Sequence, residues 1–253
     1  MKSFFINSIL IFSFIMAETS AFDKGIEHYE SRAENAVGFN VKSEPINNAI
    51  EEFKKAYSQM ELDAGVYLMR CYYFKGKFIA KTDDEKKKIF NKGKDLGEKL
   101  INVYPESASA RYWFLVNLGS WAEVYGLLAA AKEGVANLMR DHANKIIELD
   151  SEYSNGGGYF MLGAVHFKSP YIPFILSWPD NDKAIKYLTK AYDTGLSTPS
   201  QTVYLSRALY KDKQNDRAKS MLVGLLKQPY SEKDKVEDFD QYQIAKNLLE
   251  EWK

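Results

Sequence analysis

The stretch NGGGYFMLGAVHF, residues 155–167, places three consecutive glycines before an apolar run that holds His166, one of three histidines in the chain. Glycines ahead of a helix can cradle a phosphate on free backbone N–H groups, and a histidine can bind a metal or move a proton. Neither chemistry finds its partners in the sequence. The glycines lack the Lys and Ser/Thr of a phosphate-binding loop, and no strand-like run precedes them. His28 and His142 lie far from His166, no HExxH or GxSxG run occurs, and the acids are scattered over helix surfaces and turns. We read a tight inter-repeat turn and a structural histidine, and expect no enzyme: no catalytic residue, metal or cofactor. Cys71, the single cysteine, sits in LMRCYYF, so a buried inert thiol is expected.

Binding chemistry is better represented. In ASARYWFLVNLGSWAEVYGLL, residues 108–128, Asn117, Ser120 and Glu123 share one helical stripe while Tyr112, Trp113, Leu118, Trp121 and Tyr125 cover the rest. Such a helix must be surrounded, either by neighbouring repeats or in part by an apolar ligand in a cavity. A second aromatic reservoir, Tyr171, Phe174 and Trp178, sits on a Pro-rich connection. Candidate ligand-binding or passage-lining residues are Trp113, Asn117, Trp121, Tyr125, Tyr159, Phe174 and Trp178.

The elements that must position these residues are helical. Periodicity of the helical kind dominates, and most of the seven prolines fall between periodic segments. Four segments align without gaps, 49–59, 93–103, 136–149 and 184–194, and their lysines Lys55, Lys99, Lys145 and Lys190 are spaced by 44, 46 and 45 residues. A fifth, 218–228, follows. Tyr159, Leu162, Gly163 and His166 take the W-x-x-L-G-x-x-Y positions of a tetratricopeptide helix, and Ala184 and Leu188 the A-x-x-x-F positions of its partner. The chain resembles the tetratricopeptide-repeat family. The expected fold is an all-α solenoid of antiparallel helix pairs with two insertions, the aromatic element at 108–128 and the connection SPYIPFILSWPDN.

Composition bounds the rest. With 45% hydrophobic residues and equal totals of 34 basic and 34 acidic side chains, the chain can bury a core and has no net field to draw nucleic acid. Met1-Lys2, the apolar FFINSILIFSFIM and the small residues Thr19-Ser20-Ala21 predict a cleaved signal peptide over 1–21, a helical-repeat domain over 22–253, and a periplasmic destination. No lipoprotein cysteine follows the apolar run.

The blocks RYWFLVNLGSWAEVYG, LDSEYSNGGGYFMLGAVHF and SPYIPFILSWPDNDKAIKYLTKA, over roughly residues 90–200, are similar to the T-component family of TRAP-type transporters, often called TatT. The matching positions are Trp113, Asn117, Trp121 and Glu123, then Asn155, Gly156 and Gly157, then Pro170, Pro173, Asp180 and Ala184. The resemblance implies an exported helical protein that partners a periplasmic solute-binding protein (P-component), carries a small apolar or amphipathic ligand through a hydrophobic passage, and forms homo-trimers. Two departures stand out: the lipid-attachment cysteine is missing, and FILSWPDN is bulkier than the glycine-rich turn of that family. The alternative is a non-enzymatic scaffold whose concave repeat surface binds an extended peptide.

Overall fold

The computed structural model describes residues 19–253. Most of the expected leader, residues 1–18, lies outside the described residues, and the cleavage expected near Phe22 falls inside the first turn of α1 (Ala21–Glu30). Ser20 caps that helix by accepting the Asp23 N–H at 3.1 Å.

The expected all-α architecture is present. Five antiparallel pairs follow one another: α1 with α2 (Glu44–Ala56), α3 (Glu61–Phe74) with α4 (Asp83–Val103), α5 (Ala108–Tyr125) with α7 (Val135–Leu149), α8 (Tyr153–Lys168) with α9 (Asn181–Tyr192), and α10 (Pro199–Lys211) with α11 (Asn215–Leu225). A short α6 (Leu127–Lys132) interrupts the third pair, a π-helical turn, Lys75–Ile79, extends α3, and α12 (Lys235–Glu251) ends the chain. The segments that align at intervals of about 45 residues are the second helices of the pairs. Caps mark several starts: Thr82 and Glu85 form a capping box at α4, Ser107 caps α5, and Asp180 caps α9 by accepting the Lys183 N–H at 2.8 Å. Among the described residues no helix is long and apolar enough to cross a membrane.

The aromatic element is shorter than its periodicity predicts. It stops at Tyr125, not Leu128, because Gly126 adopts φ +88°, outside the helical region. Leu127 and Leu128 then stand exposed on α6. Its polar stripe also differs from a solvent-facing one: Asn117 and Ser120 are buried and only Glu123 reaches water.

Two glycines of this stretch do different jobs. Ser154, Asn155 and Gly156 form a left-handed turn, with φ of 52°, 57° and 74°, that redirects the chain into α8. At Gly163 the need is proximity, since a Cβ there would lie 2.9 Å from the Leu188 backbone nitrogen, where α8 crosses α9.

Among the described residues three apolar clusters form the core, centred on Phe53 and Phe74, on Phe114 and Leu162, and on Leu188 and Leu209. One member is out of sequence: Val236, from α12, is fully buried in the first cluster. Repeats of an open solenoid touch only their neighbours. Here α12 spans from the last pair back to the first and closes the arc.

Candidate functional site

The first helices of successive pairs lie side by side, and aromatic contacts join them in one belt. Tyr29 of α1 meets Tyr67 of α3 with ring centroids 5.6 Å apart, and Tyr73 of α3 meets Trp113 of α5 at 6.3 Å. Tyr112 meets Tyr153 at the start of α8 at 5.5 Å, Phe160 of α8 meets Tyr204 of α10 at 5.3 Å, and Tyr210 stacks on Trp252, just past α12, at 3.9 Å. Edge-to-face and offset contacts of this kind add to area burial. Tyr67, Tyr73, Tyr112, Trp113, Phe160 and Tyr204 nonetheless keep accessible surface. Burial lifts the hydroxyls of Tyr73 and Tyr112, and pushes Tyr29 and Tyr153 up to about 12, so these phenols hold their protons at neutral pH and can donate hydrogen bonds.

The belt closes through charge. Arg32, 2% exposed, donates from Nε and Nη2 to Glu237 Oε1 at 3.1 and 2.8 Å, and from Nη2 to Asp234 Oδ1 at 2.5 Å. Lys77 faces Asp240 at 3.8 Å, and Phe39 packs on Phe239 at 5.0 Å. A groove of about 480 Å³ opens at this seam, lined by Phe39, Phe78, Phe90, Ser120, Glu123 and Asp240. Inside the belt Arg70 lies 4.8, 4.7 and 5.1 Å from the rings of Tyr29, Tyr67 and Trp113.

The residues singled out in the sequence do not gather in one place. Trp113 belongs to the belt, and Tyr159 lies under Lys190 at 5.0 Å on the α9 side. Asn117 is buried and donates to the carbonyls of Met69 and Trp113, at 3.1 and 2.9 Å, tying α3 to α5. Trp121 stacks on Tyr125 at 4.3 Å, and both bond to Asn91 of α4. Trp178 docks against His166 at 5.0 Å and donates to Asn137 at 2.9 Å, whereas Phe174, at the tip of a turn with φ +65°, is fully exposed beside Ile175. His166 is buried between Trp178 and Tyr187, and burial lowers its pKa. Cys71 is buried in the first cluster and burial raises its thiol pKa. Sequence reasoning passed over Tyr29, Arg32, Tyr67, Tyr73, Tyr204 and the whole of α12. Tyr67, Arg70 and Phe74 were findable as one helical stripe, but the return of α12 left no local signal.

The positions behind the transporter resemblance have architectural duties in this fold. Gly156 makes the left-handed turn, while a Cβ at Gly157 would lie 2.5 Å from the Tyr112 ring. Asn155 offers its carbonyl to Gln201 at 2.8 Å, Asp180 caps α9, Ala184 is buried, and Pro170 and Pro173 bound the connection. Residues that serve helix-pair packing recur in unrelated repeat arrays, so they discriminate poorly between families.

A family comparison decides the matter differently. Residues 28–174 match the family model described as regulator of microtubule dynamics protein 1-3. No curated protein matches. The family match overturns the expected kinship with the TRAP T-component, and with it the transport role, the solute-binding-protein partner and the ligand carriage that the resemblance implied. The matched segment runs from the end of α1 into the connection after α8, and so contains the Tyr29, Arg70 and Trp113 part of the belt. Since that segment covers more than half of the sequence, the chain belongs to the regulator of microtubule dynamics protein 1-3 family.

Proposed function

We propose that this protein is a non-enzymatic interaction scaffold that holds an extended polypeptide against the aromatic belt. The observation that carries this reading is the series of ring contacts that links α1 to α3, α3 to α5, α5 to α8 and α8 to α10, in which Tyr67, Tyr73, Tyr112, Trp113, Phe160 and Tyr204 keep accessible surface after core packing. Aromatic rings on rigid helices offer large contact areas at small entropic cost, as binding hot spots do. The description of the family names regulation of microtubule dynamics, which makes polymerised tubulin the first partner to test. The protein is expected to pellet with stabilised microtubules, and Trp113→Ala combined with Tyr204→Ala to weaken pelleting at least roughly tenfold, as loss of hot-spot rings does. Equal pelleting of the double variant, or none by the wild type, would remove the reading.

Export directed by the N-terminal apolar segment is a separate proposal that rests on the sequence of residues 1–21. Cell fractionation with N-terminal sequencing tests it: an intact Met1 in the cytoplasmic fraction counts against export and in favour of access to cytoskeletal partners.

A further inference from the structure

We propose that Arg70 is a carboxylate-recognition point of the belt, and that the bound polypeptide is an extended acidic segment. This inference rests on the scaffold reading and names its partner class. Arg70 is half-buried on α3, with its Nε buried and without a hydrogen-bond partner. No carboxylate among the described residues forms an ion pair with it; its charged and titratable neighbours are Tyr29, Tyr67 and Arg32. A guanidinium carries five donors and favours a planar, two-oxygen acceptor. Ring faces offset part of its charge but provide no such acceptor.

The charge around the site selects among anions. Arg32, the adjacent cation, is already neutralised by Asp234 and Glu237. Arg70 brings a single positive charge with no carboxylate of its own, which matches one carboxylate better than a phosphate dianion, and Glu237 and Asp240 at the seam oppose any excess negative charge. The wall repeats the pattern farther along. Arg207 of α10 lies 5.1 Å from the Phe167 ring and 5.9 Å from that of Tyr204, and no carboxylate among the described residues pairs with it. Single arginines seated on rings at two stations of one belt fit carboxylates spaced along an extended chain, with apolar stems lying on the rings between them.

The test is fluorescence anisotropy with a labelled peptide of alternating Glu and Gly, long enough to span α3 to α10, and with its Gln-for-Glu counterpart. The Glu peptide should bind and the Gln peptide should not. Arg70→Met and Arg207→Met should each weaken binding roughly tenfold, the size of one charge-assisted hydrogen-bonded pair. Inorganic phosphate at matched ionic strength should not compete. The proposal is overturned if Arg70→Met binds the Glu peptide as well as wild type, if the two peptides bind alike, or if phosphate displaces the peptide. Thermal melting separates recognition from architecture. Arg70→Met should melt close to wild type, and a fall as large as that of Arg32→Met would make Arg70 structural and sink the proposal. Microtubule pelleting that depends on Trp113 and Tyr204, together with peptide binding indifferent to Arg70, would overturn this inference alone and leave the scaffold reading standing.

Discussion

Arg32 and Arg70 lean on the same ring, Tyr29, at 4.3 and 4.8 Å, and end in opposite states. Arg32 is buried and closed in by two carboxylates more than 200 residues away, while Arg70 is only half-buried and has no carboxylate partner among the described residues. A fully buried guanidinium is tolerated only when paired, because desolvation of a lone charge is costly. A half-buried one can wait for its counter-charge. The contrast teaches which part of the aromatic belt holds the fold and which faces outward: the seam between α1 and α12 is closed by charge within the chain, and the wall on α3 and α5 is not.

The largest effect expected from breaking this contrast is at the seam. Arg32→Met leaves Asp234 and the partly buried Glu237 without their cation and should cost about 3 kcal/mol in urea unfolding. Amide exchange along α12 should quicken in the same variant. Tyr29→Leu removes the ring shared by both arginines and should cost about 1–2 kcal/mol.

Glu237→Gln should sit lower, at about 1 kcal/mol or less at neutral pH. Burial raises the Glu237 carboxyl above its ordinary value of 4.5 in spite of Arg32, and its Oε2 is buried without a partner. A raised carboxyl pKa means that the folded state binds the proton more tightly than the unfolded chain does. The associated stability is fully present below pH 4.5 and is lost as pH rises through the raised value. The stability difference between wild type and Glu237→Gln should therefore move in favour of wild type as the pH falls, and urea midpoints over that range measure it. Arg70→Met should change stability least, within about 0.5 kcal/mol of wild type, since no carboxylate is stranded by its loss.

Much of the scaffold was legible in the sequence, for local reasons. Lys55, Lys99, Lys145 and Lys190 recur because each pair repeats one helix–turn–helix, and Gly163 and Ala184 mark where two helices must approach closely. Gly156 marked a turn because only a left-handed backbone fits there. Trp113 was legible as an aromatic on an over-apolar helix, but Trp121 and Tyr125, alike in sequence, are tied to Asn91 of α4 and stand apart from the belt. Arg70 drew no reading of its own within LMRCYYF, because nothing in its local sequence tells that Tyr29 and Trp113 arrive from other helices. The transporter resemblance failed for a related reason: its blocks were made of turn, cap and close-approach residues, which report the repeat and not the partner.

The all-helical repeat, its pair spacing and the sites of its two interruptions are readable from the residues alone, since they follow from short-range backbone sterics and the period of apolar side chains. The packing of distant helices set the closure of the chain on itself, the choice of rings in the belt, and which of two neighbouring arginines is left without a carboxylate. Those outcomes depend on contacts between residues as far apart as Arg32 and Glu237. Burial and charge pairing at such separations are set by how the helices stack, and local sequence pattern carries no record of it.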